Sequence, residues 1–140
     1  MLADNGKIPR PVRLIPYNQF SMRFVVQEHR KDQNVHWDLM LQKGEHLATW
    51  QAPLPPSEWR EIPLTCQKIF DHRIKYLTYE GPLSNNRGEV RIVVAGTYQP
   101  LQITDTQWYV RLESDSISGK LGLHKIRAYR WQLTFQGEKA

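Results

Sequence analysis

Two histidines and an aspartate stand close together in this chain: His29, His36 and Asp38. Imidazole nitrogen and carboxylate oxygen are ligands for divalent cations. Two nitrogens and one oxygen, with waters completing the shell, fit Mn²⁺ and also Fe²⁺ or Zn²⁺. A cation held this way can neutralise phosphate oxygens and activate water for attack on phosphorus. The three side chains meet only if the backbone brings them together. From Arg23 to His29 and from Val35 to Leu41, Phe24, Val26, Val35, Trp37, Leu39 and Leu41 alternate with other residues. That is the period of a strand with one buried face. Arg30 to Asn34 is charged and polar, long enough for a hairpin loop. Paired as a hairpin, the two strands place Gln27, His29, His36, Asp38 and Met40 on the opposite face. A solvated strand face carries such residues too, and His-x-Asp is common by chance, so spacing alone leaves both readings open.

The remaining chain reads as the frame for that hairpin. Residues 1–22 contain Pro9, Pro11 and Pro16 and read as an irregular N-terminal arm, with one domain over 23–140. A third strand is expected from His46 to Gln51. Pro53 to Pro56 then interrupts regular structure. Ser57 to Glu61 reads as one helical turn capped by Ser57. Lys68 to Tyr79 alternates like a strand, and Pro82 to Gly88 is a loop. Glu89 to Tyr98 is the clearest strand, with Val90, Ile92 and Val94 on one face. Gln107 to Glu113 and Arg127 to Phe135 are two more, with Ser118 to Gly122 between them. Many short strands and no long helix predict an all-β fold. A small closed or nearly closed β-barrel is favoured because closure removes exposed edges.

Composition bounds the partners. Hydrophobic residues make up 40% of 140 residues, enough for one packed core. No apolar run approaches the roughly 20 residues of a membrane span, and Met1 to Lys7 lacks the apolar stretch of a signal peptide. Cys66 is the lone cysteine, so a reducing, cytoplasmic setting is expected, and no base for a nucleophilic thiol stands near it. The net charge of +5 and pI ≈ 9.5 suit a polyanion. The basic residues form only a loose cluster near the end, at Lys120, Lys125, Arg127 and Arg130. The tryptophans read as core, apart from Trp59, which could stack a base beside the proline-rich loop. His46 and His124 read as surface residues.

Several motifs in one order carry a resemblance. Phe24-Val25-Val26-Gln27-Glu28-His29 followed by His36-Trp37-Asp38-Leu39 resembles the metal-binding core of the 3′-phosphoesterase domain of bacterial DNA ligase D, written F-V-V-Q-x-H and H-Y-D-F-R-L. Thr49-Trp50-Gln51-Ala52-Pro53 resembles its S-W-A-V-P. Asp71-His72-Arg73-Ile74-Lys75-Tyr76, then Tyr79-Glu80-Gly81, resembles its D-H-P-x-x-Y-x-x-F-E-G. The likeness runs from Arg23 to about Tyr98 and more loosely to the C-terminus. It implies a β-barrel, Mn²⁺ on His29, His36 and Asp38, and catalytic roles for His29 and His72. It also implies contacts to phosphate from Gln27, His72 and Tyr76. The implied reaction removes a 3′-phosphate or a 3′-terminal ribonucleotide, leaving a 3′-hydroxyl for repair. The expected partners of this monomer are nucleic-acid 3′ ends and a DNA repair ligase or polymerase. Without the resemblance, His72 reads equally as a half-buried histidine and Tyr76 as a core aromatic.

Three departures stand beside the likeness. The loop between His29 and His36 is one residue longer, and the family's N-terminal acidic and basic residues have no match in residues 1–22. The family's arginine two positions after the aspartate is Met40 here. Loss of a charge-assisted hydrogen bond of roughly 1.5–3 kcal/mol predicts a weak phosphate grip, and about a tenfold gain from Met40→Arg. Arg91 or Arg111, on neighbouring strands, could stand in. Two other readings remain: a non-catalytic module that binds nucleic-acid ends, and a non-haem Fe(II) oxygenase using His36, Asp38 and His72 or His124.

Overall fold

A computed structural model describes residues 22–60 and 62–138. Nine strands follow in order: β1 (Met22–Lys31), β2 (Asn34–Lys43), β3 (His46–Ala52), β4 (Leu64–Arg73), β5 (Gly81–Pro82), β6 (Glu89–Ile103), β7 (Gln107–Ser114), β8 (Ser118–Arg127) and β9 (Arg130–Gly137). Eight of them close an antiparallel barrel in the order β1-β2-β3-β4-β9-β8-β7-β6, with β6 pairing back onto β1. The short β5 adds to the edge of β6. Closure leaves no long edge to be covered. The arm read over residues 1–21 lies outside the described residues, and Met22, assigned to it from sequence, opens β1 instead. Among the described residues no helix is long and apolar enough to cross a membrane.

Alternation sorts the side chains. Phe24, Val26, Leu39, Leu41, Trp50, Val110, Leu121, Leu123 and Leu133 fill the interior, each no more than 1% exposed. Trp50 meets Trp108 and Trp131 edge-on, with ring centroids 5.2 and 5.6 Å apart. Trp59 joins this core at 1% exposure and donates Nε1–H to the carbonyl of Leu54 at 2.9 Å, so it offers no platform for a base.

Several boundaries differ from the sequence reading. The loop expected over Arg30–Asn34 shrinks to a two-residue turn, because the polar Arg30, Lys31 and Asn34 continue the ladder; Asp32 takes φ 56° to close it. The turn at Pro56–Glu58 is 3₁₀, with proline at its start and no side-chain cap, so Ser57 caps nothing. Ser118 to Gly122 belongs to β8, and the strand expected over Arg127–Phe135 is split by a turn at Ala128–Tyr129. Val90, Ile92 and Val94 do not share one face. Val26 faces Val94 but Gln27 faces Ile92, so Val93 is the extra residue of a bulge, and Ile92 turns outward while Val94 stays in the interior.

A second apolar cluster lies on the outer face. Val25, Met40 and Leu47 are fully buried there beneath Leu77, with Tyr76 and Ile92 against them. The cover is a 3₁₀ segment, Ile74–Leu77, that follows β4 directly.

Candidate metal centre and its two clefts

The register of β1 and β2 brings the hairpin residues together. Gln27 faces Asp38 and His29 faces His36, adjacent pairs on the outer face. His29 Nδ1 lies 3.1 Å from His36 Nε2. His36 Nε2 lies 3.1 Å from Asp38 Oδ1, and His29 Nδ1 lies 3.8 Å from Asp38 Oδ2. One donor atom from each residue falls within 4.8 Å of the others, a group able to hold a metal ion. Donors that bind a cation at about 2.0–2.2 Å stand about 3 Å apart as neighbours, which matches the two shorter separations.

Two features of the chain's own chemistry support the fit. Asp38 is 3% exposed, and its Oδ1 receives no aligned hydrogen bond even though His36 Nε2 stands 3.1 Å away. A buried carboxylate oxygen without a donor is costly, and a cation is a partner that removes the cost. His29 Nε2 lies 2.7 Å from the carbonyl oxygen of Arg87. A carbonyl only accepts, so Nε2 carries the proton and Nδ1 turns its lone pair toward His36 and Asp38. Gly88 makes this approach possible. It takes φ +88°, and a Cβ there would stand 2.2 Å from the Arg30 carbonyl oxygen.

His72 lines the same cleft as His29 and Asp38, placed there by a bulge in β4. Leu47 faces His72 while Thr49 faces Ile69, so Phe70 and Asp71 together oppose Ala48. The extra residue re-aims the strand end, as bulges beside functional sites do. His72 Nδ1 donates to the Phe70 carbonyl at 3.2 Å, and its ring stacks on Phe70 at 5.2 Å. Asp71 itself turns to Lys68, 3.6 Å away. Tyr76 sits on the 3₁₀ segment rather than on a strand, so it does not share strand parity with His72; its ring nevertheless meets His72 edge-on at 5.7 Å. Gln27 is 1% exposed and spends both amide N–H groups on the carbonyls of Tyr76 and Tyr79, at 3.0 and 2.9 Å. It ties the covering segment to the barrel. His124 lies exposed on β8, outside the group.

Two clefts flank the triad. The smaller, about 260 Å³, is lined by Gln27, His29, Asp38, His72 and Tyr76, with Arg73 and Arg87 among its other walls. The larger, about 740 Å³, is lined by His36 and Gln51 on the triad side and by the β8–β9 turn on the other. The arginines considered from sequence lie elsewhere: Arg91 pairs with Glu28 at 3.2 Å, and Arg111 pairs with Glu138. Arg73 and Arg87 are the arginines that line the smaller cleft among the described residues. The Arg87 guanidinium is held by the Ser84 carbonyl and hydroxyl at 2.8 and 2.9 Å.

Gln51 is the residue that sequence reasoning missed. It lies opposite Asp38 across β2 and β3, lines both clefts, and brings Nε2 to 3.4 Å from His36 Nε2. The signal was its outward parity within Thr49-Trp50-Gln51, but only the register links it to Asp38. Cys66 is buried, and that burial pushes its thiol up to about 12, so it is no nucleophile.

No curated protein matches the sequence. Residues 27–139, most of the chain and all of the site, match the family model described as the DNA ligase D 3′-phosphoesterase domain, and the chain belongs to that family.

Proposed function

We propose that this chain is a metal-dependent phosphoesterase that acts at the 3′ end of nucleic-acid strands in DNA repair, removing a 3′-phosphate or a 3′-terminal ribonucleotide. The observation that carries the reading is the meeting of His29 and Asp38 with His72 on the wall of one cleft, with His36 completing the ligand group beside them, in a chain of this family. Mn²⁺ suits the two-nitrogen, one-oxygen set and, when bound, supplies charge against phosphate oxygens and a more acidic water. His72 commits Nδ1–H to the Phe70 carbonyl, which leaves Nε2, when it carries a proton, to donate to a phosphate oxygen or the leaving oxygen. Stacking on Phe70 and the edge of Tyr76 fix that ring. Arg73 and Arg87 supply the positive charge that Met40 does not, and Gln27 holds the Tyr76 segment in place. The natural setting of this reaction is the cell interior, beside a repair ligase or polymerase that uses the resulting 3′-hydroxyl.

The test is incubation with a 3′-phosphorylated primer–template, with and without Mn²⁺. Metal-dependent release of phosphate is expected. His72→Ala should lower turnover about 10²–10⁴-fold while leaving Mn²⁺ binding to the His29, His36 and Asp38 set unchanged. Wild-type turnover in that variant would remove His72 from the reaction. No turnover by the wild type with any divalent cation would leave a module that only binds strand ends.

A further inference from the structure

The larger cleft plays no part in the reaction above, yet it begins at the metal ligands. Cross-strand partners line up on the outer face: Gln27 faces Asp38, Asp38 faces Gln51, Gln51 faces Gln67, and Gln67 faces Arg130. Directly opposed residues project from the same side of a sheet. A polar row therefore runs from the triad, across three strand spacings or about 14 Å, to the β8–β9 turn. Burial falls along it. Gln27 and Asp38 are buried, Gln51 is half-buried, and Gln67 and Arg130 are exposed.

The far end has its own chemistry. Arg127 and Arg130 flank Tyr129, which is 69% exposed at the turn, and no acidic residue lines this cleft among the described residues. The turn is fixed. Ala128 takes φ 51°, and the Tyr129 carbonyl accepts a hydrogen bond from the Lys68 N–H at 2.8 Å. An exposed aromatic ring on a rigid turn between two arginines, at the end of an uncharged polar trough, has the parts that hold single-stranded nucleic acid: stacking for a base and positive charge for the backbone.

We propose that the cleft between His36 and the Arg127–Arg130 turn is the track for the reacting strand 5′ of its end where that strand is unpaired, with a base stacked on Tyr129. This rests on the phosphoesterase reading for its polarity: the small cleft beside His72 takes the terminal group, and the long open one takes the strand. The distance from Asp38 to Arg130 spans about four stacked nucleotides. The loose basic cluster near the C-terminus thereby gains a ligand.

The test separates binding from turnover. Its first probe is a fluorescent ten-residue oligothymidylate ending in a 3′-hydroxyl, followed by anisotropy. Its second is hydrolysis of thymidine 3′-monophosphate, which is too short to reach Tyr129. Tyr129→Ala should weaken ten-mer binding about tenfold or more, while Tyr129→Phe keeps it within about twofold. Arg127→Gln and Arg130→Gln should each reduce the salt slope of binding by about 0.7. None of the four should change kcat/KM on the mononucleotide. Ten-mer binding unchanged in Tyr129→Ala overturns the track, whatever the activity. Ten-mer binding that depends on Tyr129 in a protein without turnover keeps the track and removes the phosphoesterase reading.

Discussion

The outer face of the β1–β2 hairpin has two ends with opposite fates. At one end Val25 faces Met40, and both are fully buried with Leu47 under the 3₁₀ segment that carries Leu77. At the other end Gln27 faces Asp38 and His29 faces His36, and two clefts open beside them. Strands, side and alternation are the same, so period alone cannot separate the two ends. What differs is the cover. The segment after β4 folds over the first end and stops short of the second. Met40 therefore belongs to the sealed end. It shares a face with Asp38, as the alternation required, but it contributes to an apolar seam rather than to either cleft.

The largest effect should come from breaking the seam with charge. The sequence led us to expect that Met40→Arg would raise turnover. Full burial among Val25, Leu47 and Leu77 reverses that expectation. An unpaired buried charge costs about 3–5 kcal/mol, and urea unfolding should show a loss of that order, with no gain in kcat/KM on a 3′-phosphorylated strand. Met40→Leu, which conserves volume, should cost less than about 1.5 kcal/mol. A stable Met40→Arg protein with higher turnover would mean that the covering segment moves aside, and the contrast between the two ends would fail.

Gln27 stands at the boundary between the ends, and its loss should be the next largest effect. Gln27→Leu removes both donors that bind the Tyr76 and Tyr79 carbonyls. With part of each carbonyl regaining water, the expected cost is about 2 kcal/mol. Turnover should fall further than stability at the assay temperature explains, since His72 rests against Tyr76. Amide hydrogen exchange should locate the loosening in residues 74–80. Exchange unchanged there would mean that the apolar contacts of Leu77 hold the segment alone.

Sequence reached the open end more easily than the sealed one, for a physical reason. His29, His36 and Asp38 are set by local alternation and one turn, both visible in fifteen residues. The barrel was legible in the same way, from strand after strand with turn signals between them. Gln51, Arg73 and Arg87 depend on which strand lies beside which, and on a bulge opposite Ala48, and local pattern holds neither. Tyr76 was placed near His72 by a strand parity it does not have, because Ile74–Leu77 turns instead of extending. The bulge at Val93 hid in an apolar run whose residues all look alike. Ser118 to Gly122 was placed only between two strands, although Gly119 and Gly122 lie in β8, where the β9 backbone leaves no room for a Cβ at Gly119 and the Thr134 hydroxyl crowds one at Gly122.

The smallest effect tests the interior against this charged outer face. Inside the barrel, burial raises Cys66 and Tyr98 alike to about 12, from 9.0 and 10.0. In each case the native state keeps a proton that the unfolded chain releases, so the unfolded state binds fewer protons and stability falls with pH. The contribution is full below pH 9, begins to decline there for Cys66 and near pH 10 for Tyr98, and is lost by about pH 12. Lys68 acts in the opposite sense. Burial lowers it against the opposing pull of Asp71, so its contribution rises with pH toward 10.5; its partial exposure keeps that term small. Each fully shifted buried group changes stability by at most about 1.4 kcal/mol per pH unit. Between pH 9 and 10 Cys66 carries most of that slope, because the unfolded thiol is already more than half ionised there while the Tyr98 phenol reaches half only at pH 10. Urea unfolding at half-unit steps from pH 8 to 10.5 should therefore show wild-type stability falling relative to Cys66→Ala from about pH 9 upward, by at most about 1.4 kcal/mol per pH unit. Every other titrating group is common to both proteins and cancels in the difference. Parallel curves would mean that the unfolded chain shields the thiol as well as the barrel does, and that the interior is not set apart from the outer face in the way its burial implies.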